Sequence, residues 1–111
     1  MSSRDNLGTV ELMVLLSVLR LGDEAYGVPI SHEIAEHTGR EVMLGSIYAS
    51  LERLEAKGLV TSRLGEPTAE RGGRAKKFFK ATARGVREAR ETQRALLGLA
   101  RGVRQLKGEL A

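Results

Sequence analysis

Between Gly45 and Val60 lies the stretch that restricts the fold of this chain more than any other. At helical spacing Ile47, Leu51 and Leu54 form one apolar stripe, the face a helix turns toward a core. The opposite face carries Gly45, Ala49, Glu52, Arg53 and Ala56, flanked by Ser46, Ser50 and Lys57. Gly58 offers the left-handed residue that ends many helices, and Leu59-Val60 opens a strand. A short amphipathic helix that halts on a glycine and runs into a strand is how a winged helix-turn-helix presents its recognition helix. Its small and polar outer face suits close approach to another macromolecule, which predicts a helix that reads DNA.

The rest of the chain fits around that helix. Thr9 to Leu21 reads as a helix with apolar residues at Val10, Leu12, Met13, Leu15, Leu16, Val18 and Leu19. It is apolar around most of its circumference and needs cover on more than one side, from the core and from a second subunit. After the turn Gly22-Asp23-Glu24, Val28 to Thr38 reads as a second helix, with Pro29 in its first turn and Gly39 as its stop. Leu59 to Leu64 and Lys76 to Thr82 read as two strands joined by a loop rich in glycine and basic residues. Phe79 and Ala81 share one face of the second strand; Phe78 and Phe79 read as hairpin packing rather than as platforms for bases.

Thr82 caps a final helix predicted to run to about Leu106, with apolar positions Val86, Ala89, Leu96, Leu97, Ala100, Val103, Leu106 and Leu110. At ~1.5 Å per residue it reaches about 35–40 Å, further than so small a domain can cover, and its seam asks for a partner helix. Gly98, Gly102 and Gly108 predict fraying beyond Val103. The organisation expected is a winged helix-turn-helix DNA-binding domain over residues 1–82, with residues 83–111 as a dimerisation helix packed on the same domain. The class is mainly α with a small β-hairpin.

Charge separates along the chain in a way that matters more than the net of +4. Residues 1–38 hold two basic and six acidic side chains, residues 39–82 nine and five, and residues 83–111 seven and three. Arg71, Arg74, Lys76, Lys77 and Lys80 fall within ten residues that contain no acid. Such a footprint suits a polyanionic partner, although a solvated surface reads the same way. The acidic first third is expected to face away from DNA. With no cysteine, disulfides and thiolate metal sites are excluded. His32 and His37, five apart on the second helix, read as surface partners of Glu36 and Glu33 rather than as metal ligands. The residues call for no cofactor. No nucleophile with a base, paired catalytic carboxylates or phosphate loop points to an enzyme. No apolar run reaches membrane-spanning length and the N-terminus lacks the order of a signal peptide, so the chain is expected in the cytoplasm.

Specific residues bring a family into view. Glu11 to Leu16, Ala25-Tyr26-Gly27, Gly45 to Tyr48 with Leu51 to Leu54, Lys57 to Val60, and Gly73 to Phe79 with Thr82 and Gly85 resemble the PadR-like transcriptional regulators in order and spacing. The resemblance spans roughly residues 7–85. It implies a homodimeric, sequence-specific DNA-binding regulator, a repressor on a two-fold symmetric promoter site, whose C-terminal helix packs on its partner's first helix. The chain departs from the family where Ser-Pro often precedes the recognition helix: Met43-Leu44 stands there, so a polar cap is missing.

Ser46, Ala49, Ser50 and Arg53 are the residues expected in the major groove, with Arg53 suited to a guanine edge or a phosphate. Tyr48 is either a hydroxyl donor to phosphate or a half-buried core tyrosine. Arg71, Arg74, Lys76 and Lys77 suit backbone or minor-groove contacts from the wing. Tyr26 and Gly27 read as structural, the glycine permitting the turn into the second helix. Leu12, Leu15, Leu16, Leu96, Leu97, Ala100 and Val103 are the expected dimer contacts. A small-molecule effector between those helices is conceivable from the resemblance but unsupported by the residues, which include no Trp. The alternative function is a winged-helix protein-interaction adaptor without sequence-specific DNA binding; RNA is disfavoured because the helix suits a B-form groove.

Overall fold

A computed structural model describes residues 7–66 and 75–107. Its first helix, α1 (Thr9–Leu21), begins where Gly8 adopts extended dihedrals and the Glu11 side chain turns back to accept the Gly8 N–H at 3.2 Å. Gly22, at φ 63°, ends it, and its N–H donates to the Val18 carbonyl. A 3₁₀ turn over Gly22–Glu24 leads to α2 (Gly27–Thr38), which stops on Gly39 in the left-handed region. Helix α3 (Leu44–Ala56) follows, then the strands β1 (Val60–Leu64) and β2 (Lys77–Ala81), and finally α4 (Ala83–Ala100).

Alternation of apolar and polar residues sorts these elements onto one core. Val14, Leu15 and Val18 of α1, Ile30 and Ile34 of α2, and Ile47, Leu51 and Leu54 of α3 are all fully or almost fully buried. Leu59, Val60, Phe79 and Ala89 close the cluster from the hairpin and α4. The strands pair antiparallel, with Val60 opposite Ala81 and Leu64 opposite Lys77. Phe79 also donates its N–H to the Ala25 carbonyl at 2.8 Å, which ties the hairpin to the turn between α1 and α2. Three helices followed by a hairpin make the winged helix-turn-helix expected from the sequence.

The passage from α3 into β1 is closed by hydrogen bonds around Gly58, whose φ of 79° is the left-handed stop anticipated there. Leu59 donates to the Leu54 carbonyl at 2.9 Å, and Thr82 Oγ1 donates to the Gly58 carbonyl at 2.8 Å while accepting the Gly85 N–H at 3.0 Å. Thr82 therefore caps α4 and pins it to the end of α3 at once. Gly85 sits so close to the Leu59 carbonyl that any Cβ there would collide with it.

Two expectations are corrected. Leu15, expected at a dimer interface, is completely buried among this chain's own core residues. Helix α4 stops at Ala100 instead of continuing to about Leu106: Arg101 turns extended at ψ 133° and Gly102 takes φ 82°. The chain then resumes as a 3₁₀ turn over Arg104–Leu106. Glycines at 98 and 102 lower helix propensity where no described residue covers the helix, and the C-terminal half of α4 is exposed from Gln93 to Ala100. Leu110 lies outside the described residues.

Candidate nucleic-acid interface

Burial of Ile47, Leu51 and Leu54 fixes which side of α3 faces out. Gly45, Ser46, Tyr48, Glu52, Arg53 and Ala56 are exposed and Ala49 is half-buried. Ser50, expected on this outer face, is instead fully buried and accepts from Arg53 Nη2 at 3.4 Å. It lies between the apolar stripe and the outer face, and the inward side claims it. The helix begins on Met43, whose side chain caps nothing, so the missing polar cap is a fact of the structure.

Tyr48 is 41% exposed, and its ring lies over the backbone of Gly27, at the start of α2. Any Cβ on Gly27 would overlap that ring. The glycine is thus needed for room rather than for a left-handed turn, since its φ is not positive. The half-buried reading of Tyr48 holds in part: its ring packs against α2 while much of the residue stays accessible.

Arg53 holds a partner that its own neighbourhood in sequence did not reveal. Its Nε donates to Glu11 Oε2 at 2.7 Å, and Lys57 Nζ donates to Glu11 Oε1 at 3.1 Å. Glu55, on the same helix, accepts from Ser62 Oγ at 2.8 Å. The Glu11 side chain is only 10% exposed. Burial pushes its carboxyl up, but the hydrogen bonds from Arg53, Lys57 and the Gly8 N–H outweigh that and hold it below its ordinary value of 4.5. A single carboxylate on α1 therefore fastens α3, and more than half of the Arg53 side chain remains exposed beyond it.

Beside α3, the hairpin carries its cations over aromatic rings. Lys76 Nζ lies 4.6 Å from the Tyr26 ring centroid and 3.3 Å from its hydroxyl oxygen. Tyr26 meets Phe78 edge-on with centroids 5.3 Å apart, and the Arg63 guanidinium stands 4.7 Å above Phe78. Lys77 lies 5.8 Å from the Phe79 ring and is exposed, as is Lys80. Phe78 and Phe79 hold the hairpin together, as their positions suggested. Arg71 and Arg74, expected at the wing tip with Gly72 and Gly73, lie outside the described residues.

Of the expected dimer contacts, Leu12 and Leu16 are half-buried on α1, Leu96 and Leu97 are each 54% exposed on α4, and Ala100 is exposed. Val103 lies past the helix end and is half-buried. His37 Nε2 is 3.2 Å from Glu33, which also accepts from Arg20 Nε at 2.8 Å. Glu33, Glu36 and His37 bring donor atoms within 4.8 Å of one another, but the Arg20 guanidinium already neutralises Glu33. Among the described residues no helix is long and apolar enough to cross a membrane.

Comparison with known proteins agrees with this geometry. Residues 15–91 match the transcriptional regulator PadR-like family. The transcriptional regulator Rv3488 of Mycobacterium tuberculosis is 37% identical over 81 residues, covering 73% of this chain and 71% of that protein. A PadR family transcriptional regulator from Eggerthella lenta superposes with a TM-score of 0.70 at 27% identity, over 86% of this chain and 81% of its own. A transcriptional regulator from Clostridium thermocellum shares the fold at TM-score 0.73 and 21% identity, over 88% and 89% of the two chains.

Proposed function

The chain belongs to the PadR-like family of transcriptional regulators, and we propose that it acts as a homodimeric repressor that recognises a two-fold symmetric promoter site. The observation that carries this reading is the outer face of α3. Ser46 and Tyr48 stand exposed there beside Gly45 and Ala49, which are small enough to let the helix sink into a groove. A B-DNA major groove admits one helix, and hydroxyls on that helix can reach base edges or phosphates. Arg53 supplies a guanidinium at the same surface, steadied by Glu11.

Affinity comes chiefly from the wing. Lys77 and Lys80 project cations from β2, and Arg71, Arg74 and Lys76 add to the same segment of sequence. Neutralising phosphates releases counterions and gives binding that is steep in salt but indifferent to sequence. The helix, whose cations Arg53 and Lys57 are both tied to Glu11, contributes selectivity.

Dimerisation follows from the apolar surface left on α4 and α1. Leu96, Leu97 and Ala100 with Leu12, Leu16 and Val103 form the seam, and a second copy is the cover of matching chemistry. Occupation of a promoter by such a dimer in the cytoplasm blocks polymerase without any catalytic step. Selection of bound duplexes from a random pool tests the reading: the enriched site is two-fold symmetric, with half-sites about one helical turn, ~34 Å, apart. A pool that returns no enriched sequence contradicts it and favours the protein-interaction adaptor.

A further inference from the structure

The residues that lead into α3 present an apolar surface that the fold does not use. Met43, the N-cap residue, is 77% exposed, and Leu44, the first helical residue, 43% exposed. An N-cap position ordinarily holds a side-chain oxygen that accepts a free helix N–H, and Met43 has none to offer. The preceding Val42 does pack against the core, so burial is satisfied one residue earlier and the next two side chains are left facing solvent. They are continuous in sequence with Gly45 and Ser46, both exposed at the start of the same helix.

What this surface meets follows from the reading of α3 as the groove-entering helix, on which this inference rests. In helix-turn-helix proteins the N-terminal residues of the recognition helix contact the base edges. Neither Met43 nor Leu44 can hydrogen-bond a base edge. In the major groove, the apolar group that distinguishes one base from the others is the C5 methyl of thymine. A thioether chain adapts its shape to such a methyl, and a leucine beside it excludes water.

We propose that Met43 and Leu44 read thymine methyl groups, which makes a thymine at the base step facing the start of α3 a determinant of specificity in each half-site. The missing polar cap is then the consequence of a position used for base contact.

The test uses the full chain and the duplex it selects from a random pool. Replacing each thymine in turn with deoxyuridine removes the methyl and leaves every hydrogen-bonding group in place. At one or two thymines per half-site, wild-type binding weakens about fourfold per methyl, the factor that corresponds to burying one methylene-sized group. Met43→Ala and Leu44→Ala bind the thymine duplex more weakly by a similar factor and lose the distinction between thymine and uracil. Their melting temperatures stay close to wild type, because both side chains are exposed. Wild-type binding indifferent to every uracil, or variants that keep the full uracil penalty, overturns the proposal while leaving the DNA-reading role of α3 intact. Failure to select any site overturns that role itself.

Discussion

The ring of Tyr48 occupies the space that a Cβ on Gly27 would fill. Two helices are set against each other by this contact, since Gly27 begins α2 and Tyr48 lies in the first turns of α3. Alanine at position 27 forces the ring aside and costs about 1–3 kcal/mol by overpacking. In a Tyr48→Ala background the same substitution becomes neutral or stabilises by up to ~1 kcal/mol, because alanine is the better helix former. Thermal unfolding of the four chains of this cycle reads the sign change directly.

Glu11 is expected to give stability a specific acid limb. Its native carboxyl titrates below the ordinary 4.5, so its contribution is fully present above that pH and is lost as the pH falls through the lower, folded value. Glu11→Gln destabilises by about 1–2 kcal/mol at neutral pH, given that Arg53 is half exposed. The difference between variant and wild type shrinks below pH 4.5. Urea unfolding at a series of pH values checks this, and a difference that grows on acidification would contradict the pairing seen here.

Leu15 and Leu97 are expected to fail in different ways. Leu15→Ala empties a site at 0% exposure and costs about 2–5 kcal/mol of fold stability. Leu97→Asp changes a side chain 54% exposed on α4, so the domain keeps its far-ultraviolet spectrum while sedimentation shifts from dimer toward monomer at micromolar concentration. A Leu97→Asp chain that sediments as wild type would remove α4 from the interface.

Lys77 and Ser46 separate affinity from selectivity. Lys77→Ala should weaken binding to every duplex alike and lower the slope of log affinity against log salt by about one. Ser46→Ala should leave that slope unchanged and relax the preference at one position of the site. Fluorescence anisotropy with matched and mismatched duplexes distinguishes the two effects.

Much of the fold was legible because its punctuation is local. Thr9 to Leu21 was bounded by glycines on both sides, and Gly39 and Gly58 marked the stops of α2 and α3. Periodicity placed Ile47, Leu51 and Leu54 inside. What escaped was long-range or ambiguous in period. Glu11 meets Arg53 across 42 residues of chain, and no spacing rule reports such a pair. On α1, apolar around most of its girth, the pattern could not tell Leu15 from Leu12 and Leu16. Ser50 stands at the edge of the α3 stripe, where a small polar side chain fits either face. The stop of α4 at Ala100 is set by Gly102 acting together with lack of cover, and the heptad-like leucines beyond it suggested a longer helix.

Sequence-specific recognition is tested most directly by one titration: the full chain against a duplex from its own upstream region and against a scrambled duplex of equal length, at several salt concentrations. Affinity for both should fall steeply with log salt, and the upstream duplex should bind at least about a thousandfold more tightly near physiological salt. Equal affinity for the two duplexes, or binding insensitive to salt, would contradict the account.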